Sequence, residues 1–273
     1  IDFEKTVKTL SLSEKEIKLR KKFLDKFITS GLPNRKLENW KFLDLEQIIR
    51  KNIGELNFFN DYSLSNKIDP SILIDGLEHN KIFFINGKLE KIDFSYEDQD
   101  KIEINDNYKL KDEFINNNSL TDLNNAFTNK IYKIIIKKDY FLKKPLVVYH
   151  VTNEIIKSKN VNLKLEFKLE QNSSLRLIDF FNYSSEKNFI NINYNFDLKK
   201  NAILKNFKID KMQNENINYS FNNINQDENS VSETFILSIG SSFLKNEINC
   251  NLNGKYSSAF VNGIFSFKNS QQH

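Results

Sequence analysis

Apolar residues follow two different periods along this chain, and the change of period divides it. Between Ser13 and Gly31 they recur at helical spacing. Ser13 and Glu16 have the S-x-x-E spacing of a capping box, in which each side chain satisfies a free backbone N–H at the helix start. Ile17, Leu19, Phe23, Leu24, Phe27 and Ile28 follow as a one-sided stripe. Gly31 predicts a left-handed C-terminal cap and Pro33 a stop. A second helical segment is expected from about Leu43 through Ile49. From Ile82 to Phe94 two apolar runs flank Asn86-Gly87, a dipeptide that tolerates the positive φ angles of a type I′ hairpin turn. A short helix is expected to end around Ser119 to Phe127.

Beyond Lys130 the period becomes two. Val161, Leu163, Leu165, Phe167 and Leu169 alternate with polar residues, as do Ile190, Ile192, Tyr194, Phe196 and Leu198. "IYKIIIKKDY" and "KPLVVYHVT" precede them. Further strands are predicted over Ile203–Ile209, Ile217–Phe221, Val231–Ile239, Phe243–Leu252 and Ser258–Phe267. The pattern predicts a mainly helical region over residues 1–128, with the hairpin near 82–94, and a β region over 129–273. Short strands at regular spacing mean a sandwich, a barrel or a solenoid. No helix is available between these strands for a Rossmann-like or flavodoxin-like crossover. The turns are built from Asn, Lys, Ser and Asp rather than Gly and Pro, and a stacked solenoid fits that spacing.

Composition narrows the function classes. Phe (24) and Tyr (10) are too frequent for a disordered chain. Heavy use of Lys, Asn and Ile with few Gly and Pro fits an AT-rich genome, which weakens any argument from lysine number. Forty basic residues nearly match 36 acidic ones, for a net charge of +4, and both signs alternate along most segments. That is a solvated surface rather than the concentrated basic face of a nucleic-acid binder. No stretch approaches the roughly 20 apolar residues of a membrane span, and no signal-peptide pattern opens the chain. The first residue is Ile1 rather than Met, so the native N-terminus stays open. The single cysteine, Cys250, excludes an intramolecular disulfide and an all-cysteine metal site within one chain, and fits a reducing cytoplasm.

Candidate chemistry is sparse. No phosphate-loop motif is present, which argues against an ATPase or dinucleotide enzyme. His79, His150 and His273 have no metal-ligand spacing with one another or with Cys250. His150 is expected at a strand end, hydrogen-bonded or exposed, and His79 in a polar loop with no role. Cys250 shares a strand face with Ile248 and Leu252 and is expected to pack as a small hydrophobe. A carbohydrate-active β-helix enzyme would need carboxylates clustered on one outer face. Asp179, Asp197, Asp210 and Asp227 fall on different coils, and their alignment is open at this point. A plain interaction solenoid is the other alternative.

The stretch "GLPNRKLENWKF", Gly31 to Phe42, mixes basic and aromatic residues at a helix junction. Packing of Leu37, Trp40 and Phe42 onto the preceding helix, with the charges in water, is expected ahead of base stacking. The same stretch resembles the N-terminal signature of the SufD family of the SUF iron–sulfur assembly system, met by Pro33, Arg35, Glu38, Trp40, Lys41 and Phe42. "FFINGKL", "LNNAFTNKIYKIIIKKDYFLKKPLVVYHV", "NAILKNFKI" and "SFLKNEINCNLNGKYSSAFVNGIF" resemble later segments of that family in the same order, including paired turns at Gly254 and Gly263. The related SufB subunit shares the β-helical core, so the choice of SufD rests mainly on residues 33–42.

The resemblance implies a helical N-terminal domain followed by a right-handed parallel β-helix. It implies a non-enzymatic scaffold subunit that pairs with a SufB homologue and the SufC ATPase, with an iron–sulfur cluster assembled on the whole complex. No catalytic, cofactor or metal residue is assigned, and neither nucleic acid nor a membrane is expected as a partner. "SQQH" resembles the start of a strand that family members continue past His273. The family's Cys-x-His segment facing SufB and its SufC-gripping helices are expected beyond that point. No functional residue of either kind is transferred here, and Cys250 does not match the motif.

Overall fold

A computed structural model describes residues 3–10, 12–59, 68–110, 118–183, 187–210, 216–239 and 243–266. The helical part opens with α1 (Phe3–Lys8), α2 (Glu14–Ser30) and α3 (Leu45–Asn52). Ser13 caps α2 as the sequence predicts, accepting from the Glu16 N–H at 3.3 Å. The reciprocal half of the capping box is replaced: the Glu16 carboxylate reaches Arg20 at 3.2 Å instead. Gly31 closes α2 with its N–H on the Phe27 carbonyl and a φ of 70°. Its ψ of −173° is extended rather than left-handed helical, which sends the chain directly into Pro33. Ile28, read as part of the buried stripe, is 62% exposed.

The hairpin forms as predicted. β1 (Asn80–Ile85) and β2 (Lys88–Asp93) pair antiparallel across Asn86 and Gly87, whose φ angles are 52° and 79°. Both positive values are those of a type I′ turn. β3 (Ile102–Tyr108), which the sequence reading left out, is followed by α4 (Ser119–Phe127). Then come β4 (Ile131–Ile136), β5 (Leu146–Thr152), β6 (Asn160–Leu169), β7 (Ser174–Tyr183), β8 (Phe189–Leu198), β9 (Ile203–Asp210), β10 (Ile217–Gln226), β11 (Val231–Ile239), β12 (Phe243–Leu252) and β13 (Ser258–Ser266).

Alternate strands build opposite walls. One sheet has the order β13-β11-β9-β7-β5-β1-β2, the other β12-β10-β8-β6-β4-β3. From β4 and β5 onward all neighbours are parallel and in unbroken register, as in Asn160↔Phe189 and Ser174↔Ile203. The fold is therefore mainly β, a parallel solenoid of two strands per coil with helices at its N-terminal end. Antiparallel β2 and β3 close the first edge of each sheet, as terminal caps do in stacked repeats.

The corners explain why Gly and Pro are scarce. Asp139, Asn172, Asn201, Asn229 and Tyr256 occupy equivalent turn positions with φ between 56° and 60°. Asn and Asp tolerate this conformation best among residues with side chains. The backbone N–H of the first four donates to the next coil: Asp139 to the Gln171 carbonyl at 2.9 Å, Asn172 to Lys200 at 3.0 Å, and Asn201 to Glu228 and Asn229 to Lys255 at 2.9 Å. The Asn201 side-chain amide, 29 positions along from Asn172, donates to its oxygen at 2.7 Å. Gly254 sits in such a turn, but Gly263 does not: it lies inside β13, a correction to the reading of paired turns.

Three apolar clusters result. The lumen between the sheets holds Leu165, Phe167, Leu177, Ile192, Phe196 and their neighbours. A second cluster joins the helices to the outer face of the six-stranded sheet, with Phe23, Trp40, Leu45, Leu120, Tyr219 and Phe243 in one core. A third, small one covers Phe83, Val147 and Tyr149 on the outside of the other sheet. No described helix is long and apolar enough to cross a membrane.

Candidate functional site

Two places carry chemistry. The first is the stretch from Pro33 to Phe42. Asp44 caps α3 by accepting from the Gln47 N–H at 3.1 Å, and the Leu45 N–H donates to the Pro33 carbonyl at 3.2 Å. The intervening chain is thus a tight loop containing a 3₁₀ turn, Glu38–Trp40. Pro33 and Trp40 are buried, while Arg35, Glu38 and Lys41 are exposed. Lys41 and Glu38 form a 2.7 Å ion pair in water, which is worth little to stability. The expected packing of three apolar side chains holds only for Trp40, because Leu37 is 50% and Phe42 81% exposed.

Trp40 also reaches further than the preceding helix. Its ring lies 6.0 Å from Tyr219 of β10, and the Lys245 ammonium of β12 sits 4.8 Å over its face. Lys245 donates to the Asn39 carbonyl at 2.7 Å. Glu247, next but one on the strand, accepts from Asn118 at 3.0 Å and Tyr219 at 3.1 Å. Between the stretch and the sheet lies a cleft of about 360 Å³, lined among others by Trp40, Asn118, Phe221 and Glu247.

The second place is inside the lumen and was not foreseen. The Asp179 carboxylate accepts from the Tyr194 hydroxyl at 2.8 Å and from the Lys208 ammonium at 3.3 Å, and lies 3.2 Å from His150 Nε2. Tyr194 is also 2.9 Å from that nitrogen. With its proton on Nε2, His150 donates toward both oxygens. Register explains the meeting: Val148↔Asp179 and Asp179↔Lys208 are paired rungs on adjacent coils, and His150 is two residues beyond Val148 on the same face. Aromatic rings enclose the group. Phe181 stacks on His150 at 4.7 Å, and the Lys208 ammonium lies 3.9 Å from the Tyr194 ring centre.

Burial and partners set the protonation states. Burial pushes the Asp179 carboxyl up, but Lys208, His150 and Tyr194 together hold it below the usual range, so it stays ionised. Burial pushes the His150 imidazole down more than Asp179 raises it, leaving it neutral near pH 7. Burial likewise lowers Lys208, and burial followed by the Asp179 charge pushes Tyr194 well up. Asp179 collects three donors while Lys208 has one carboxylate, which is why partners outweigh burial for the acid but not for the base. Two hollows of about 20 Å³ flank the group, one beside His150 and one beside Lys208. Each has room for one water.

Other expectations shift accordingly. His150 is not at the strand end but within β5, hydrogen-bonded and 3% exposed. His79 is buried as well, with Nδ1 on the Leu77 carbonyl and Nε2 on the Tyr149 hydroxyl, both at 2.6 Å. Asp179 and Asp210 are buried on lumen-facing strand positions, whereas Asp197 and Asp227 share Lys199 outside, at 2.8 and 3.4 Å. The four do not line one outer groove. Cys250 is half-buried against the lumen core, and burial raises its thiol. Among the described residues, no three His, Cys, Asp or Glu side chains come together to hold a metal. His273 lies outside the described residues.

Residues 154–273 match the SUF system FeS cluster assembly, SufBD core domain. Over 251 residues, 88% of this chain, the sequence is 21% identical to the iron-sulfur cluster assembly protein SufD of Escherichia coli (strain K12). The chain is thus similar to SufD over most of its length and to the SufBD core domain over its later coils. It spans 57% of the length of that curated relative. The core-domain match begins just before β6 and takes in the coils from β6 to β13, including Asp179, Tyr194 and Lys208. His150 and the 33–42 stretch lie before it.

Proposed function

We propose that this chain is a non-catalytic scaffold subunit of SUF iron–sulfur cluster assembly, pairing with a SufB homologue and the SufC ATPase in the cytoplasm. The observation that carries the reading is the SufBD core match over the stacked coils. A parallel solenoid suits such a role, because each coil is fixed by its neighbours and presents extended outer faces. The iron–sulfur cluster is cargo of the complex in this reading, not a resident cofactor of the chain. The two lumenal and two external aspartates favour it over a carbohydrate-active enzyme, which needs its acids on one accessible surface.

The test is co-purification of the full-length gene product with the SufB and SufC homologues of the same genome, joined to a deletion strain. A stable heteromer and lost iron–sulfur enzyme activity, restored by the wild-type gene, are expected. A product that purifies alone, from a gene whose deletion leaves those enzymes untouched, overturns the reading. Polysaccharide cleavage by the pure protein would replace it.

A further inference from the structure

Residues 68–77 lie as a strap over the outer face of the seven-stranded sheet. Ile68, Ile72, Leu73, Ile74 and Leu77 pack there on Phe83, Val147 and Tyr149. Pro70–Ile72 forms a 3₁₀ turn capped by Asp69, which accepts from the Ser71 N–H at 2.9 Å. A chain of hydrogen bonds ties the strap to the sheet, and chemistry fixes its direction. The Leu77 carbonyl can only accept, so His79 Nδ1 carries the proton of their 2.6 Å contact. In the neutral ring Nε2 is then an acceptor, and it takes the Tyr149 hydroxyl proton at 2.6 Å. The hydroxyl oxygen in turn accepts from the Ile74 N–H at 3.2 Å. Ile74 and Leu77 belong to the strap, Tyr149 to β5, and His79, 3% exposed, leads into β1.

We propose that His79 and Tyr149 form a proton-operated latch that holds this strap shut. A second proton on the ring puts hydrogens on both sides of the Nε2–hydroxyl contact. The phenol then loses its acceptor in a site walled by Phe83 and Phe180, at 4.6 and 5.7 Å. Burial keeps Tyr149 protonated and so unable to compensate as an anion. Neighbouring charges do not rescue the cation. Lys81 of β1 donates to the His79 carbonyl at 3.3 Å and to Asp93 of β2 at 3.4 Å, and Glu78 is held by Lys144 at 2.6 Å. Burial accordingly pushes the imidazole down, against the pull of the Leu77 carbonyl. With the strap open, His79 titrates near its ordinary value of about 6.5. The open fraction therefore rises as pH falls below that value, by at most about tenfold per unit. Opening bares Phe83, Val147 and Tyr149. Val147, Ile178 and Phe207 are successive rungs, and Phe207 is already 40% exposed, so the uncovered patch is continuous.

Hydrogen exchange on the full chain reads the latch directly, since the Ile74 amide is one of its bonds. His150 stays in the lumen when the strap opens, so its titration does not enter the strap's local exchange. After correction for intrinsic rates, protection over residues 68–77 is expected to fall below about pH 6.5, by up to about tenfold per unit. The strap is also expected to exchange at least about tenfold faster than β8 throughout, because it opens alone. His79→Gln has no proton to gain and is expected to hold strap protection level across the same range. Tyr149→Phe is expected to lower it about tenfold at about pH 7.5, and serves if the first variant does not fold. Strap protection that ignores pH in the wild type, or that falls equally in His79→Gln, overturns the latch. Protection equal to that of β8, or unchanged in Tyr149→Phe, overturns it as well.

Discussion

Asp179 and Lys208 face each other across adjacent coils with their charged atoms 3.3 Å apart and side chains 0% and 2% exposed. A buried pair of this kind is weak evidence for stability, because the cost of desolvating both ions offsets their attraction. Its removal in halves is another matter. Lys208→Met leaves a carboxylate uncompensated in the lumen and is expected to cost about 3–5 kcal/mol. Asp179→Leu with Lys208→Met is expected to cost less than the sum of the single changes by about 2 kcal/mol. Urea denaturation of the four-member cycle measures this, and additive costs would show the two residues to be uncoupled.

His150 makes the stability of the fold depend on pH in a defined direction. Its folded value is pushed down by burial, so the unfolded chain binds the proton more readily. The contribution is whole above the ordinary histidine value of about 6.5 and is lost as pH falls below it, toward the folded value. The slope from this residue is at most about 1.4 kcal/mol per pH unit. Asp179, Lys208, Tyr194, Phe84 and Phe181 are the groups against it, and Asp179 stays ionised through this window. His79, also lowered by burial, adds in the same direction. Denaturation midpoints between pH 7.5 and about 5 should fall in the wild type and flatten in His150→Gln with His79→Gln.

The turn stack gives a third expectation. A Cβ on Gly254 would lie 2.0 Å from the Glu228 backbone nitrogen, so no side chain fits there without moving the coil below. Asn201 shows the opposite logic, since its φ of 59° suits asparagine or glycine. Asn201→Ala is expected to cost about 1–2 kcal/mol, from the left-handed conformation and the lost bond to Asn172. Asn201→Gly should cost less, and Gly254→Ala should be the most damaging of the three. Thermal unfolding of the set checks the order, which would be wrong if Asn201→Gly were the worst.

These residues also show what the sequence made legible. The period-two strand Val231–Ile239 is readable to the residue because one face of it is buried by its neighbours, and Phe243–Leu252 is readable to the residue although only Phe243 and Leu244 are buried. β7 escaped because its alternation is broken: Asp179 takes a lumen position while Ile178 and Phe180 face out. β3 escaped because it is an edge strand with only Ile102 fully buried. The lumenal ion group was invisible for a different reason. Its members belong to three coils, so their meeting depends on register, which no local pattern of residues displays. The aspartates at 179 and 210 were noted, but their direction was not, and direction decides between a surface acid and a structural one.

Arg20 is the clearest case of a charge hidden inside an expected apolar stripe. It is 1% exposed, and its guanidinium donates to the carbonyls of Thr128 at 2.5 Å and Ala126 at 3.4 Å, and to Glu16 at 3.2 Å. Those carbonyls belong to the end of α4, where the last turn has no partners of its own. The contact therefore fixes α2 across α4, which itself anchors to the sheet through Asn124 on the Leu163 and Asn191 carbonyls. Arg20→Met keeps the volume but strands these acceptors, and a loss of about 2–4 kcal/mol is expected. Arg20→Lys should recover only part, because an ammonium cannot span the same fork. Hydrogen exchange locates the effect: protection should drop in α2 and at the end of α4 while β8 and β10 keep theirs. Uniform loss across the solenoid would mean that Arg20 supports the whole fold rather than this helix pair.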